Sequence, residues 1–376
     1  MTARILVLGS LASSLKNFRG ALIETLINRG YEVHTAAPDL PADKDTCDWL
    51  QQKGAVTHDV SLSRTGLNPV ADIRFLGQFF RLARGVKPQV FLGYTAKPVI
   101  WGVLAAWLAR VPRRVALVTG LGYAFTGEVH GRRAVIQHIA RSLYALALRR
   151  ATLVLFQNED DWRDFQRLGI LSGKVPSRIV NGSGVDTRHF ADTPLPDGPP
   201  VFLLIARLLG DKGIREYVEA ARHLRIDWPE AQFHLVGGVD SNPDGITEEE
   251  VIGWHENGWV TWFGEMRDVR PAIAASHVYV LPSYREGTPR TVLEAMSMGR
   301  PIITTDAPGC RQTVEDGING VLVPVAHANA LQTAMEGFLK DPTLIETMSQ
   351  QSRRIAEEKY NVHKVNASIL AAIGLE

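Results

Sequence analysis

The sequence predicts an α/β protein with two doubly wound parallel sheets, and three features indicate this class. First, short runs rich in Val, Ile and Leu alternate with segments of helical periodicity along the chain. Second, residues 190–200 contain four prolines and one glycine, which no helix or strand accommodates, and this segment separates two series of apolar runs. Third, 376 residues suffice for two domains of about 100–200 residues each.

Each apolar run is read as one buried strand; the run at 278–281, for example, ends abruptly in Pro and Ser before a helical segment begins. Seven strands are predicted before the proline-rich segment and six after it. They cover residues 5–8, 31–36, 56–60, 89–94, 114–119, 153–157, 177–181, 201–206, 232–236, 260–263, 278–281, 301–305 and 320–323. The run at 98–109 is too short to span a membrane and predicts a buried helix.

This pattern predicts two tandem Rossmann-like domains with an interdomain cleft between the carboxyl ends of their sheets. The expected domains are residues 1–190 and 201–358, joined by a linker at 191–200. The final helix, 359–376, has no sheet of its own and is expected to cross back to the first domain.

Composition limits the compartment and the class of partner. The two cysteines, Cys47 and Cys310, are far apart and match no disulfide framework or metal-ligand spacing, which fits a reducing, cytoplasmic location. The amino-terminal apolar run is too short for a signal peptide and is read as the first strand.

Positive charge is concentrated in the first half of the chain. Residues 64–150 contain 14 Lys and Arg but only two acidic residues, Asp72 and Glu128, which indicates an anionic partner. Nucleic acid, an anionic membrane surface and a pyrophosphate-bearing substrate are the candidates. Nucleic acid is disfavoured, because the cations fall on predicted helices and strand-end loops and not among aromatic residues on a sheet face.

The segment 131–150 predicts one helix with a possible lipid-facing role. Its apolar stripe, Val135, Ile139, Leu143 and Leu146, fits either a core helix or an amphipathic surface helix. Basic residues cluster at both ends, and these ends, together with Arg64, Arg113 and Arg114, are expected to face anionic headgroups.

The clearest candidate site lies in the second half, where a strand at 278–281 leads through a loop into a helix. Glu286 lies on this loop, and Glu294 lies in the first turns of the helix. Backbone amides from Thr288 to Val292 lie at the helix amino terminus, where phosphate binds readily. The junction therefore offers carboxylates for sugar hydroxyls and amides for a diphosphate.

Two cations follow the first strand of the second domain. Arg207 and Lys212 are expected at the same sheet edge as the Glu286 loop, where they can stabilise the negative charge of a departing diphosphate. Taken alone, such a pair is more often two surface cations, so its position beside the loop is the argument for function.

Taken together, these motifs resemble the second domain of the retaining GT-B glycosyltransferases of family 4. The matching pieces are Arg207…Lys212-Gly213, Gly264-Glu265, Glu286-Gly-Thr-Pro-Arg-Thr-Val-Leu-Glu294 and Gly299-Arg-Pro-Ile. The resemblance implies catalytic roles for Glu286, Arg207 and Lys212. It implies donor contacts at Glu294, Gly287, Thr288, Pro289, Arg290, Thr291, Val292, Gly237, Phe263 and Gly264.

The first domain resembles the bacterial polysaccharide and lipid-linked oligosaccharide transferases of this family. Ser13-Ser-Leu-Lys-Asn-Phe-Arg-Gly20 stands where many members carry a double glycine, and Asn17 is expected to cap the first helix. The resemblance implies further donor contacts at Asn17 and Phe18. It implies acceptor contacts at Lys97, Thr95, Tyr94, Gly120, Gly122 and Arg19. Lys97 is the candidate for an acceptor phosphate, and the alternative is a plain surface lysine before a helix.

The resemblance implies transfer of a sugar, commonly a UDP-activated N-acetylhexosamine, to a polyprenyl-diphosphate-linked saccharide at the inner membrane face. No cofactor or metal is expected, since the cations and helix terminus neutralise the diphosphate. Asp43-Lys-Asp45 matches an acid-x-acid metal motif but is read as a solvated loop. The alternatives are a UDP-sugar 2-epimerase of similar fold and a non-enzymatic protein that binds anionic surfaces.

Overall fold

A computed structural model describes residues 2–63, 68–120, 132–240, 242 and 244–375. The chain divides into two compact units, of which the first comprises Met1–Ser183 with Val365–Glu376 and the second comprises Gly184–Lys364. Each unit is built on one parallel sheet.

Within the described residues, the first unit contains seven strands, six complete α-helices and most of the final helix. The strands are β1 (Arg4–Leu8), β2 (Glu32–Ala37), β3 (Val56–Asp59), β4 (Val90–Tyr94), β5 (Arg113–Val118), β6 (Leu153–Phe156) and β7 (Ser177–Ile179). The helices are α1 (Ala12–Asn28), α2 (Lys44–Gln52), α3 (Pro69–Val86), α4 (Val103–Leu108), α5 (Arg132–Leu148), α6 (Glu159–Arg167) and, at the end of the chain, α13 (Val362–Ile373). One π-helical segment, Pro98–Gly102, precedes α4.

The part of the second unit that the structure describes has six strands and six complete α-helices. The strands are β8 (Val201–Ile205), β9 (Gln232–Val236), β10 (Thr261–Trp262), β11 (Val278–Leu281), β12 (Ile302–Thr305) and β13 (Gly320–Val323). The helices are α7 (Ile214–Asp227), α8 (Glu248–Glu256), α9 (Arg270–Ala274), α10 (Arg290–Ser297), α11 (Ala328–Lys340) and α12 (Thr343–Lys359).

Strand order places a topological switch point in each sheet. The first sheet runs β3-β2-β1-β4-β5-β6-β7 and the second runs β10-β9-β8-β11-β12-β13, with every pair parallel. The order reverses between β1 and β4 in one unit and between β8 and β11 in the other. In open parallel sheets, ligands bind beyond the carboxyl ends of the strands at this point. The predicted fold class of two doubly wound parallel sheets is confirmed, and each predicted strand is present.

The proline-rich segment packs on the second unit and is not a free connection. The buried Arg300 guanidinium donates hydrogen bonds to the carbonyl oxygens of Thr193 (2.9 Å) and Pro194 (3.1 Å). The chain passes between units at Ser183–Gly184 and again at Lys364–Val365. The reason is a local pairing, in which Val185 N–H donates to Tyr360 O at 2.8 Å and fixes the chain within the second unit.

Helix α1 begins earlier than predicted. It starts at Ala12, so the Ser13–Asn17 segment is helical, and Asn17 lies inside the helix and not at its cap. The cap residue is Leu11, which offers no side-chain acceptor and therefore leaves no sequence signal.

The interpretation of Asp43 as a solvated loop residue is also corrected. Its carboxylate caps α2 by accepting a hydrogen bond from Thr46 N–H at 3.1 Å.

Helix α5 buries a different face from the predicted stripe. Val135, Ile139 and Leu146 are exposed, whereas Tyr144 and Ala147 are buried against the core. The buried side also carries Leu148, and Leu143 of the predicted stripe packs partly against the core, so most of the predicted stripe lies on the solvent side. Arg113 is exposed and Arg114 is half-buried, and both donate to backbone carbonyl oxygens. Their expected contact with headgroups stays a prediction, and Arg64 lies outside the described residues.

Candidate active site

The predicted catalytic residues meet at the switch point of the second sheet. Arg207 and Lys212 lie on the segment that follows β8, and Glu286 lies on the segment that follows β11. Lys212 Nζ is 2.6 Å from Glu286 Oε1, and both side chains are less than one-fifth exposed. Ser283 Oγ donates a second hydrogen bond to the same oxygen at 2.9 Å. Residues 74 positions apart in sequence thus form one polar centre.

The ion pair fixes the charge of Lys212. Burial alone would lower the pKa of the ammonium, but the charge and hydrogen bond of Glu286, together with the charge of Asp211, outweigh burial, and the pKa is raised. Lys212 therefore remains a cation at neutral pH in a site with little solvent. A cation in such a place interacts strongly with a phosphate, because few water molecules screen it.

Backbone contacts hold the two segments against each other. Tyr284 N–H donates to Asp211 O at 2.8 Å, and Glu286 N–H donates to Pro308 O at 2.9 Å. Gly309 has a φ of +80°, and a Cβ there would overlap the Glu286 carbonyl oxygen. The 308–310 turn therefore needs glycine to support the Glu286 loop from behind.

Arg207 and Glu294 each have a charged partner. Arg207 Nη1 lies 2.8 Å from Asp240 Oδ2, and Arg207 is more than half exposed. Glu294 is buried and lies 2.7 Å from Arg290 Nε. Burial raises the pKa of the Glu294 carboxyl even though Arg290 opposes this shift.

The other predicted donor residues of this unit lie at the same carboxyl edge. Gly287, Thr288 and Pro289 form the loop before α10, and Arg290, Thr291 and Val292 make its first turn, with Val292 buried. Gly237 follows β9, and its N–H donates to Gly264 O at 2.8 Å, next to Phe263. Phe263 is half exposed, with its ring 5.0 Å from that of His234.

The predicted acceptor residues lie at the switch point of the first sheet. Tyr94 ends β4, and its hydroxyl is 2.7 Å from Ser14 Oγ. The buried Arg19 guanidinium lies 5.1 Å from the centre of the Tyr94 ring. Thr95 Oγ1 donates to Ser10 Oγ at 2.9 Å, and Lys97 forms an ion pair with Asp72.

The remaining predicted residues of the first unit are more scattered. Asn17 and Phe18 lie within α1, and Phe18 is exposed. Gly120 follows β5 with a φ of +131°, and Gly122 lies outside the described residues. Sequence reasoning missed Asp72, Asp240, Ser283 and Gly309, because no spacing rule connects these residues to the side chains that they contact.

Comparison with known proteins agrees with this arrangement. The family model "Glycosyl transferase 4-like domain" matches residues 17–177, and "Glycosyl transferases group 1" matches residues 199–341. The chain is 29% identical over 358 residues to N,N'-diacetylbacillosaminyl-diphospho-undecaprenol alpha-1,3-N-acetylgalactosaminyltransferase of Campylobacter jejuni, covering 91% of this chain and 90% of the relative. It is 26% identical to UDP-Gal:alpha-D-GlcNAc-diphosphoundecaprenol alpha-1,3-galactosyltransferase of Escherichia coli, covering 78% and 77%.

Solved structures show the same fold. Sucrose-phosphate synthase of Thermosynechococcus elongatus superposes with a TM-score of 0.79 at 20% identity, covering 98% of this chain and 97% of the other. HepE of Anabaena, solved in complex with UDP, gives a TM-score of 0.76 at 18% identity and covers both chains completely. With two family models matched in tandem and this fold, the chain belongs to the group 1, family 4-like glycosyltransferases of the GT-B fold.

Proposed function

We propose that the protein is a retaining, metal-independent hexosyltransferase that moves an N-acetylhexosamine from a UDP-sugar to a saccharide on polyprenyl diphosphate. The observation that carries the proposal is the Lys212–Glu286 pair at the switch point of the second sheet. Two relatives act on undecaprenyl-diphosphate-linked sugars according to their names, and HepE binds UDP, which supports this choice of acceptor and donor.

The cations serve the leaving group. Arg207 and Lys212 bind the donor diphosphate, whose negative charge grows as the bond to the sugar breaks. Amides of Thr291 and Val292 at the start of α10 bind its distal phosphate. These groups replace the metal ion that other transferases use.

The carboxylates orient the donor. When a donor phosphate replaces Glu286 as the partner of Lys212, the Glu286 carboxylate can bind hydroxyls of the transferred sugar. Ser283 keeps this carboxylate in place through its hydrogen bond. Glu294 binds the ribose. The acceptor hydroxyl attacks the face that the leaving group vacates and passes its proton to the departing phosphate, so retention requires no protein nucleophile.

Donor identity is tested by thermal protection and by product analysis. Full-length protein is heated with each of a panel of UDP-, GDP- and ADP-sugars, and a bound donor raises the melting temperature by mass action. Active donors are then incubated with a polyprenyl-diphosphate-linked monosaccharide. A new α-linked disaccharide-lipid from a UDP-N-acetylhexosamine supports the proposal. An epimerised nucleotide sugar without transfer indicates the 2-epimerase, and no product with any donor indicates a binding protein.

Glu286→Ala gives the sharpest test of the assigned roles. We expect turnover to fall by about a thousandfold or more, because tight positioning contributes several kcal/mol to the barrier. UDP affinity stays within a few-fold, since Arg207 and Lys212 are retained. Undiminished turnover would remove Glu286 from the mechanism. Glu315→Ala, a change of the same kind outside the candidate site, serves as the control.

We also propose that the protein works as a peripheral protein on the inner, cytoplasmic face of an anionic membrane. The contact surface is the solvent side of α3, α4 and α5, whose buried sides share one core. Exposed apolar side chains lie here: Val70, Ile73, Trp107, Leu108, Val135, Ile139 and Leu146. We call this surface the basic–apolar face. No helix in the described part of the chain could cross a bilayer.

The charge of the basic–apolar face suits anionic lipid. Arg74, Arg81 and Arg84 on α3, and Arg149 and Arg150 after α5, are exposed. The sequences of α4 and α5 contain no Asp or Glu, and Asp72 of α3 is buried. Apolar side chains ringed by arginines insert shallowly between acidic headgroups.

Vesicle binding tests this surface. We expect Val135→Glu/Ile139→Glu to lower affinity for phosphatidylglycerol vesicles at least tenfold at 0.15 M salt, because two carboxylates then face acidic lipid. Ile226→Glu, at an exposed position of α7, is the control and retains binding. Equal binding by all three proteins would assign membrane contact to another surface.

A further inference from the structure

Two lysine–carboxylate pairs in the protein share their burial and their place in the fold. Lys97 Nζ lies 2.9 Å from Asp72 Oδ1, and these side chains are 11% and 3% exposed. Lys212 Nζ lies 2.6 Å from Glu286 Oε1, and these side chains are 15% and 19% exposed. In each pair the lysine follows a strand that borders a topological switch point. The second pair belongs to the proposed donor site.

Stability alone is a poor reason for such a pair. Removing two charges from water costs several kcal/mol, and the attraction between the charges often fails to offset this cost. Packed apolar residues in their place therefore often give a protein of equal stability. Exposed pairs elsewhere in the first unit, such as Lys16–Asp45, avoid this cost. The free-energy cost of burying the Lys97–Asp72 pair therefore indicates a role in binding.

The backbone next to Lys97 is also held in a costly shape. Thr95 has a φ of +69°, which is rare for a β-branched residue, and its hydroxyl donates to Ser10 Oγ at 2.9 Å. The π-helical segment Pro98–Gly102 follows directly after Lys97. Strained φ values and π-helical turns concentrate at ligand sites.

We propose that Asp72 is a positioning residue that holds the Lys97 ammonium ready for the diphosphate of the lipid-linked acceptor. This inference rests on the proposed function. An ammonium carries three N–H donors, of which Asp72 takes one, so the others can meet phosphate oxygens. Asp72 is deeper than Lys97, so the carboxylate anchors the cation from the protein side.

Asp72→Asn removes the charge and keeps the shape. In the full-length enzyme we expect the KM for the polyprenyl-diphosphate acceptor to rise at least tenfold, with donor KM and kcat within about threefold. Asp45→Asn, the same change in an exposed lysine pair, leaves all three constants unchanged. An unchanged acceptor KM in Asp72→Asn overturns the proposal.

A double-mutant comparison separates positioning from a structural role. Lys97→Met raises the acceptor KM, and Asp72→Asn added to it causes no further rise, because the residue acts through Lys97. A full additional loss in the double variant means that Asp72 acts independently of Lys97 and overturns the proposal. Melting temperatures of all variants identify loss of folding.

A binding measurement tests the same site without turnover. With UDP saturating the donor site, farnesyl diphosphate is titrated into wild type, Asp72→Asn and Lys97→Met, with farnesol as the control lacking phosphate. We expect both variants to weaken farnesyl diphosphate binding at least tenfold. If wild type transfers no sugar yet shows this dependence, only the proposed function fails. If transfer occurs and the variants bind normally, only the Asp72 role fails.

Discussion

At the scale of single residues, the hydrogen bonds and the burial of the His277 ring determine its protonation state. Its Nδ1 accepts a hydrogen bond from Val201 N–H at 3.0 Å, and its Nε2–H donates to Pro196 O at 2.9 Å. The ring is buried, and burial lowers its pKa, with the nearby Arg300 charge adding to this effect and the bond to Pro196 opposing it. His277 therefore stays neutral while it joins the proline-rich segment to β8.

The stability of the second unit should consequently fall in mild acid. Below about pH 6.5 the unfolded histidine takes up a proton that the folded ring resists, so each such proton favours unfolding by at most about 1.4 kcal/mol per pH unit. We expect the melting temperature to drop from pH 7.5 to pH 5.5, and His277→Asn to reduce this drop.

The control for this prediction is His363→Asn, which alters an exposed histidine near the start of α13. It should leave the pH dependence as in wild type. His234 also has a pKa lowered by burial, so some dependence remains in His277→Asn. Identical slopes in wild type and His277→Asn would contradict the assignment.

The positions of the site residues, though not their partners, were predictable from sequence. Arg207, Lys212 and Glu286 carry recognisable motifs at strand ends, and the sheet topology brings their segments to one edge. The carboxylate partners were not predictable, because Asp240 is 33 residues from Arg207 and Asp72 is 25 residues from Lys97. Such pairings depend on how whole helices and strands pack, and the spacing of residues in the sequence does not predict this packing.

At the scale of elements, the Glu286 loop depends on the turn behind it. Gly309→Ala places a methyl group on the Glu286 carbonyl oxygen at a backbone conformation that already disfavours alanine. We expect kcat to fall at least a hundredfold, because a displacement of about 1 Å is enough for a loss of this size. Steady-state kinetics with the preferred donor measures the change.

Gly317→Ala provides the matched control. Gly317 has a φ of +75°, close to that of Gly309, but a Cβ there meets no atom within 4 Å. Both variants therefore carry the backbone strain, and only Gly309→Ala disturbs the loop. Equal kcat values in the two variants would show that the turn does not set the position of Glu286.

Element prediction succeeded where burial is uniform and failed where it is one-sided. Central strands such as β8 and β11 are buried on both faces, so their continuous Val, Ile and Leu runs were sufficient. On α5 the aliphatic residues Val135, Ile139 and Leu146 are on the solvent side. The core side carries Tyr144, Ala147 and Leu148. A helix that is apolar on two sides cannot be oriented from spacing alone.

At the scale of the whole molecule, the end of the chain completes the core of the first unit. Five apolar side chains of this segment are buried there: Val365, Ile369, Leu370, Ile373 and Leu375. Arg29 Nη1 donates to Leu375 O at 2.7 Å, and Arg113 Nη1 donates to Gly374 O at 2.9 Å. The first unit is therefore discontinuous in sequence and depends on the segment 365–375 for part of its core.

Truncation after Lys364 should unfold the first unit selectively. Burial of five such side chains contributes about 7–15 kcal/mol at about 1.5–3 kcal/mol each, which matches the whole stability of a typical domain, about 5–15 kcal/mol. Calorimetry of the truncated chain should show the transition of the second unit without that of the first. Ser368→Ala, on the exposed side of α13, should retain both transitions, as in the full-length chain. Survival of both transitions after truncation would mean that residues 1–183 form a stable core without the carboxyl-terminal helix.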